Sequence, residues 1–597
     1  MITQPSWRIA DTCDDASFHS FQGLHPVVAQ VMFNRGVRTA SEASAFLSPD
    51  YRAHTHDPYH MEDMRKAVER IISALRTQEQ VTIYGDYDVD GLSATTLLFD
   101  LFSLLGIRVN VHINHRERDG YGLQLSAIEM LAEKGTKLII TTDCGISNAQ
   151  EIARAHELGM EVIITDHHAV PAKADDIPPA YAILHPLVRA DRYPFKFLSG
   201  GGVAFKLVQA IIHADFDADF IRHRQSLRSQ DNLPIHWEAY EKWLLDLVAM
   251  STVGDCMPLV GENRVFVTYG LVVLAKTKRI GLKALIANVQ SRIKEFTPFT
   301  IGFLIGPRIN AASRMDHAQI AFDLLNARDD VTATALAADL EQKNTERQKL
   351  TEKICKEAKE QLNSKFEQGK KVLIGSAEHW PIGMLGLVAG KLCNLYHRPV
   401  VLMTHGHGGI AGAARSVAYF DITKAFSEVP EFFSRFGGHK AAGGFALKDE
   451  NMITQFTESF EVVAERHFAA GDAHHPTMEI DVHVSLSDIS EDLAQLLKSL
   501  EPHGQGNAKP LFLITGVSVI DARTVGATNK HLKLTVQQNG LIRKLIGFGL
   551  GERVDELLCG TRIDCVIEID EHEWNGTTDV QLTIKDFHVM HTEVAQK

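Results

Sequence analysis

The residues best suited to chemistry lie in Val81-Thr82-Ile83-Tyr84-Gly85-Asp86-Tyr87-Asp88-Val89-Asp90-Gly91, where a β-prone run ends in carboxylates at every second position. Alternate residues of an extended chain point the same way, so Asp86, Asp88 and Asp90 can converge on one cation. Acids that close repel one another unless positive charge sits among them. Asp86, Asp88, Asp90 and Gly91 also match the first half of an EF-hand calcium loop. That loop needs a bidentate Glu at its twelfth position, where this chain has Leu97, and a preceding helix, where Val81–Tyr84 reads as a strand. The EF-hand is excluded.

Further acids stand at comparable points. Asp143 follows the apolar run Leu138–Thr142, and Asp166 follows Val162–Thr165 and precedes His167 and His168. Asp255 closes the apolar run Trp243–Met250 through Ser-Thr-Val-Gly. Mostly oxygen donors with an imidazole suit Mn²⁺ or Mg²⁺ over Zn²⁺. The carboxylates exceed what one ion needs, and two ions sharing Asp143 would use them economically. Such a pair activates a water and stabilises the entering and leaving oxygens at phosphorus. One imidazole then remains for a proton or phosphate role. A lone acid after a parallel strand is ordinarily a helix N-cap, and histidine pairs arise by chance in a chain with 29 histidines. The combination argues for a metal centre. Cys144 and Cys256 each follow a proposed ligand and read as small packing residues.

Basic groups recur in loops able to face such a site. Arg116 and Arg118 precede Asp119-Gly120-Tyr121-Gly122, Arg308 and Arg314 flank Ile309–Ser313, and Arg415, His439 and Lys440 lie further on. Arginine suits bidentate phosphate recognition, and successive glycines such as Gly437-Gly438 let a backbone approach a sugar-phosphate closely. One such arginine is more often a surface ion-pair partner; together they read as a substrate channel.

The elements that must position these residues follow from periodicity. From residue 81, apolar strands (Val81–Tyr84, Ile107–Ile113, Leu138–Thr142, Val162–Thr165) alternate with amphipathic helices, the pattern of a parallel sheet covered on both faces. Ligands of such sheets bind outside the carboxyl ends of the strands, so the strand-end acids should meet in one crevice. Ala333–Phe366, without Gly or Pro, predicts a long connector helix. A smaller α/β unit follows, with strands Val372–Gly375 and Pro399–Met403 around a helix over Gly383–Leu395, ending in the Gly-rich passage Phe436–Gly444. The last part is all-β: Leu511–Ile520, His531–Gln537, Leu541–Phe548, Arg562–Ile569 and Val580–Phe587, with hairpin turns at Asn539-Gly540 and Asn575-Gly576. Five short strands suit a small barrel, of which the oligonucleotide-binding type is a common form. The divisions are an N-terminal packing segment 1–60 with a helix entered at Ser41, a catalytic domain 61–330, a connector 331–370, a second α/β domain 371–470 and a barrel domain 471–597.

A net charge of −14 argues against nucleic-acid binding over the whole surface and confines phosphate contacts to a local groove. The seven cysteines include no CxxC and read as reduced thiols. No apolar run reaches membrane-spanning length and no signal-like N-terminus is present, so no membrane partner and a cytoplasmic location are expected.

The residues quoted resemble the DHH phosphoesterase superfamily, named for Asp166-His167-His168. The resemblance extends to Asp86–Gly91, Asp143-Cys144-Gly145, Gly254-Asp255 with Pro258-Leu259, Gly306–Met315 and Gly437-Gly438-His439, and Gly504–Phe512 resembles the entry to a nucleic-acid-binding barrel. It spans roughly residues 60–590 and is closest in kind to the superfamily's single-stranded-DNA exonucleases. It implies a parallel-sheet DHH domain, a connector helix, a smaller DHHA1 domain and a five-stranded OB-type barrel. It also implies degradation of single-stranded DNA from the 5′ end, in recombination and repair, with two Mn²⁺ or Mg²⁺ ions. Single-stranded-DNA-binding protein and a helicase are its implied partners. Asp88, Asp90, Asp143, His167 and Asp255 match metal ligands. Asp86 matches a motif acid acting through water, and His168 one beside the scissile phosphate. Arg116, Arg308, Arg314, Arg415, Gly437, Gly438 and His439 match substrate contacts, Arg116 and Arg415 near a 5′-phosphate pocket. Two positions depart from the family: Trp380-Pro381-Ile382-Gly383 lacks a histidine at 381, and Ala413-Ala414-Arg415 lacks a serine hydroxyl. Two alternatives stand beside this reading: a phosphodiesterase for short oligonucleotides or cyclic dinucleotides, and a non-catalytic DNA-binding scaffold.

Overall fold

The computed structural model describes residues 5–188, 191–229, 232–406, 409–469, 476–574 and 577–590. The chain forms two compact units, one built mainly from His56–Met257 and Tyr269–Pro476, the other from Pro5–Thr55, Pro258–Thr268 and Thr477–Lys597.

The first unit contains a five-stranded, wholly parallel sheet in the order Val109–Ile113, Gln80–Gly85, Thr136–Thr142, Glu161–Thr165, Ala182–Leu184. Val81, Ile83, Leu138 and Ile140 are fully buried, as strands covered on both faces require. Strand order reverses at Gln80–Gly85, which pairs with Val109–Ile113 on one side and Thr136–Thr142 on the other. The carboxyl ends of Gln80–Gly85 and Thr136–Thr142 therefore flank a topological switch point, where open α/β sheets bind ligands. Asp86 and Asp143 immediately follow these strands. The edge strand Ala182–Leu184 was not expected; it has only three residues and follows Pro178-Pro179, so it carries no alternation to read. The apolar run near 243–250 divides into helices Trp237–Trp243 and Leu245–Gly254. Leu245–Gly254 and Gly200–Ile212 both pack on Val89–Leu105.

The connector is one 38-residue helix, Asp330–Glu367, whose N-cap Asp329 accepts from Thr332 N–H. Buried Ala333, Ala337, Leu340, Ile354, Ala358 and Leu362 show that it packs along a stripe of small and aliphatic residues. Beyond it lies a mixed sheet ordered Phe433–His439, Ala442–Leu447, Gly409–Arg415, Val400–Gly406, Leu373–Ser376. Two of its features differ from expectation. Gly409–Arg415 is a strand with no strand signal in its sequence, because Gly and Ala have little β-propensity. The Gly-rich passage is an antiparallel hairpin with Gly437 opposite Gly444 and Gly438 opposite Gly443. Gly438 sits at φ +138, and a Cβ there would come within 2.2 Å of the Ala442 carbonyl oxygen.

In the second unit, strands Phe512–Val525, His531–Gln538, Leu541–Gly547, Arg562–Trp574 and Thr577–Val589 form a closed five-stranded barrel, with Phe512–Val525 pairing both His531–Gln538 and Arg562–Trp574. Asn539 and Gly540 both have positive φ, 49° and 85°, as a type I′ hairpin turn requires. The turn expected at Asn575-Gly576 lies outside the described residues. The N-terminal segment is not separate: Val28, Val31, Met32 and Phe46 share one core with barrel residues such as Leu534, Ile567 and Phe587. Ser6–Ile9 pairs in parallel with Thr477–Ile480, and Arg35 forks onto Asp481. The helix expected from Ser41 begins at Ala40, with Thr39 and Glu42 forming a capping box. Partners so distant in sequence leave no local signature.

Candidate metal centre

The centre is assembled by chain reversals at strand ends. After Gln80–Gly85 the backbone turns, and Asp88 caps helix Val89–Leu105, its Oδ1 accepting from Asp90 N–H at 2.9 Å and Gly91 N–H at 3.1 Å. Position 91 must be glycine, because a Cβ there would stand 2.7 Å from the Asp86 backbone oxygen. Asp90 lies in the first helical turn, where a carboxylate is favoured. Its oxygens accept from Gly200 N–H (2.8 Å), Gly201 N–H (2.7 Å) and Ser251 Oγ (2.5 Å). Asp143 adopts a left-handed φ of 63°, uncommon for a non-glycine residue and a mark of local strain. Gly200 allows this packing, since a Cβ on it would meet the Asp143 side chain at 2.6 Å. Asp255 ends helix Leu245–Gly254 as its C-cap.

These turns bring the sequence-read residues together. His167 Nε2 lies 3.1 Å from Asp143 Oδ1, 3.5 Å from Asp255 Oδ2 and 3.7 Å from Asp90 Oδ2. Three sets of donor atoms each fall within 4.8 Å of one another: Asp86, Asp88 and Asp143; Asp90, His167 and Asp255; and Asp143, His167 and His168. Asp86 Oδ1, Asp143 Oδ1 and His167 Nε2 are buried without a hydrogen-bond partner. Orphaned donors and acceptors of this kind are costly unless a ligand completes them. The donor set therefore fits hard divalent cations. Asp86, expected to act through water, offers an unpaired oxygen to the same locality as Asp88 and Asp143.

The electrostatics agree. Burial first, then Asp88, pushes the Asp86 carboxyl up to about 8. Burial, followed by Asp90 and Asp88, does the same for Asp255, to about 8. Burial and the neighbouring acids raise Asp90 and Asp143 as well, Asp143 well above the usual carboxylate range. Burial holds the His167 imidazole below its ordinary value. His168 behaves oppositely: burial disfavours its charge, but a 2.9 Å hydrogen bond from Nδ1 to Asp166 and that residue's charge prevail, lifting it to about 9. Asp166 is buried beneath the centre, accepting also from Ile146, His167 and His168 N–H groups. It orients the histidine pair, and despite its burial the His168 bond and charge hold its carboxyl below the usual range.

Cations gather nearby in the same unit. The Arg116 guanidinium lies 4.6 Å from the Tyr87 ring, and Arg314 Nη1 donates to the Gly383 carbonyl at 2.7 Å. Burial and the charges of Arg116, Arg347 and Arg415 together depress the Arg314 pKa well below its ordinary value. Arg415 is likewise depressed, by burial and then by Arg116. The His439 ring stacks over His168 at 6.2 Å. Gly437 is exposed in the hairpin. Arg308, read in the sequence as a phosphate contact, is instead buried and forks onto Glu341 while donating to the Leu304 carbonyl. Pro381 lines a cavity of about 710 Å³ with Glu117, Arg118, His379, Ala411 and Arg435.

Several site residues escaped the sequence reading. The Tyr121 hydroxyl lies 2.9 Å from His168 Nδ1 and donates to the Asp143 carbonyl at 3.1 Å, and Asn310 Oδ1 accepts from Val89 N–H at 2.8 Å. Ser251 carries no local signal. The run Gly200-Gly201-Gly202 at a helix start did carry one, because glycines there permit close approach of backbone N–H groups to an anion.

A parallel sheet with this acid and histidine cluster at its switch point defines a DHH-type phosphoesterase. The model of the DHH family's N-terminal domain matches residues 80–251, that of the DHHA1 domain 369–465 and that of the RecJ OB domain 480–586. The chain is 35% identical to the single-stranded-DNA-specific exonuclease RecJ of Bacillus subtilis (strain 168), over 98% of this chain and 71% of that protein. It is 30% identical to RecJ of Escherichia coli (strain K12), over 94% and 95% respectively. The crystal structure of RecJ from Thermus thermophilus in complex with Mn²⁺ matches with a TM-score of 0.80 at 27% identity, covering 98% of this chain and 80% of that one. This chain belongs to the RecJ family.

Proposed function

We propose that this chain is a metal-dependent exonuclease that hydrolyses single-stranded DNA to nucleotides from the 5′ end, in recombination and repair. The observation that carries the reading is the set of buried donor atoms without hydrogen bonds on Asp86, Asp143 and His167, beside Arg314 and Arg415, whose pKa values burial and then neighbouring arginines depress. Its relatives are single-stranded-DNA-specific exonucleases, and the matching Thermus structures hold Mn²⁺ or Mg²⁺.

Asp86, Asp88 and Asp143 would hold one ion, and Asp90, His167 and Asp255 the other, with Asp143 between them. Two such ions supply Lewis acidity at the scissile phosphate and an activated water. The chain's own groups do the rest. Backbone N–H groups of Gly200 and Gly201 lock Asp90, and Asp166 fixes both histidines. His168, which Asp166 lifts to about 9 against its burial in the metal-free chain, can donate a proton to a phosphate oxygen or to the leaving group. Arg116, Arg314, Arg415 and His439 would hold the 5′-terminal phosphate and neighbouring backbone, with Gly437 and Gly438 permitting close approach. Arg308 would support this wall through Glu341. The Pro381 and Ala413 departures remove two polar donors there and weaken the preference for a 5′-phosphate.

The barrel favours long strands over the alternative of short oligonucleotides or cyclic dinucleotides, and the filled ligand positions disfavour a non-catalytic scaffold. Single-stranded-DNA-binding protein and a helicase fit as partners, because such an enzyme needs opened strands. The free cysteines suit a reducing cytoplasm. Among the described residues no helix is long and apolar enough to cross a membrane. The test is time-resolved product analysis on single strands labelled at either end. Mononucleotides released first from the 5′ label, only with Mn²⁺ or Mg²⁺, support the reading; release first from the 3′ label, or without metal, overturns it.

A further inference from the structure

Phe299 and Phe303 are 57% and 67% exposed, yet their rings stack, with centroids 4.8 Å apart and planes 17° from parallel. Each ring covers one face of the other and leaves its outer face to solvent. The pair stands on a firm base. Thr300–Ile305 is a π-helical stretch whose Thr300, Ile301, Leu304 and Ile305 are buried, and the Thr300 hydroxyl accepts from Thr297 N–H at 3.2 Å. π turns are uncommon and recur at functional sites.

This stretch runs without a break into helix Gly306–Met315, which lays out three stations in order. Phe303 comes first. Asn310 follows about 10 Å along the axis, bonded to Val89 N–H beside Asp88, and Arg314 lies about 6 Å further on, among the crevice arginines. A strand whose 5′ end lies at Arg314 and whose scissile bond lies at the metal loop therefore continues toward the phenylalanines. The sequence leading to them is basic up to the exposed Glu295. From Lys276 to Lys294 the chain carries six basic residues and no acidic one, in a protein of net charge −14. Of these, Lys276, Lys278, Lys283, Arg292 and Lys294 are exposed. Exposed aromatic faces beside positive charge suit single-stranded nucleic acid, whose bases stack and whose phosphates are anionic.

We propose that Phe299 and Phe303 form a stacking step for a base of the single strand on the 3′ side of the scissile bond, with Arg292 and Lys294 meeting its phosphates. The proposal rests on the exonuclease reading above and assigns the far end of the substrate path.

The test is equilibrium binding of 5′-phosphorylated (dT)20 to the full-length protein in EDTA, where no cleavage occurs. Phe299→Ala with Phe303→Ala should weaken binding on the order of ten-fold or more, leaving the slope of affinity against salt unchanged. Phe303→Trp should bind at least as tightly as wild type. Arg292→Gln with Lys294→Gln should reduce the salt slope. For 5′-phosphorylated (dT)2, too short to reach the step, the double phenylalanine variant should lose far less affinity than for (dT)20. Wild-type affinity of that variant for (dT)20 overturns the proposal, as does an equal loss on (dT)2 or a Phe303→Trp protein as weak as the alanine variant. A wild-type enzyme that releases no nucleotides from single strands would instead sink the exonuclease reading, so the two failures are distinguishable.

Discussion

The acid cluster and the arginine crevice are mirror images in charge and opposites in construction. Each gathers like charges that repel. Burial, and then neighbouring acids with Asp88 among them each time, raises the pKa of Asp86, Asp90, Asp143 and Asp255, while burial and then Arg116, Arg347 and Arg415 lower that of Arg314. Each is therefore incomplete without a ligand of opposite sign: divalent cations on one side, phosphates on the other. They differ in how they are held. The acids sit at strand ends and helix caps, fixed by backbone hydrogen bonds such as Gly200 N–H to Asp90. The arginines reach in from separate elements and hold carbonyls, as Arg314 does at Gly383 and Arg415 at Ala414. A metal pair needs fixed geometry, whereas a phosphodiester that must advance one nucleotide at a time needs donors able to let go.

That contrast can be broken most severely at Asp143, shared between the two proposed ion positions. Asp143→Ala should lower Mn²⁺-dependent kcat about a thousand-fold or more, because the bound ions supply several kcal/mol of transition-state stabilisation. Initial-rate assays on 5′-phosphorylated oligonucleotides measure it, and a loss under ten-fold would contradict the assignment. Asp166→Asn is next. It leaves every proposed ligand and one acceptor oxygen in place but removes the carboxylate charge that raises His168, so kcat should fall about ten- to a hundred-fold. The alkaline limb of the pH profile should also move down from about 9 toward the ordinary imidazole range. An unshifted limb would mean that His168 does not titrate in the reaction.

On the cationic side, Arg314→Gln should weaken binding of 5′-phosphorylated strands about ten-fold or more, as loss of a charge-assisted contact does. It should reduce the salt slope, while Arg308→Met should lower the thermal midpoint and leave the slope nearly unchanged. Equal slopes for the two variants would erase the distinction between a binding arginine and one paired to Glu341.

The smallest effect is the most general. Asp86 and Asp255 titrate near 8 in the folded chain but near the ordinary carboxylate value of about 4 once unfolded. Their protonated forms thus favour the fold, a contribution fully present below about pH 4 and lost as pH rises through 8. The metal-free thermal midpoint should accordingly decline over that window, and Mn²⁺ should raise it more at pH 8 than at pH 6. A midpoint shift that does not grow with pH would contradict the charge account.

The metal side was legible in the sequence because parallel strands ending in acid encode both the sheet and its crevice, and Asp166-His167-His168 adds an imidazole at the same edge. The role of Asp166 beneath the site was not, since an acid looks alike whether it faces metal or backbone N–H groups. Arg308 and Arg314, six residues apart on one helix, could not be told apart without Glu341 on a different helix. Tyr121 and Ser251 reach the centre only through tertiary packing. In the second unit, Asn539-Gly540 marked its hairpin, whereas the union of residues 5–55 with the barrel rests on pairings such as Ser6 with Thr477 that no local pattern carries.

Asp143 stands between the two proposed ion positions of the acid cluster. Calorimetric titration of Mn²⁺ into the metal-free protein near neutral pH tests it most directly. Two ions per chain are expected for the wild type and no more than one for Asp143→Ala; a wild-type stoichiometry of one or zero, or two ions retained by Asp143→Ala, overturns the two-ion assignment.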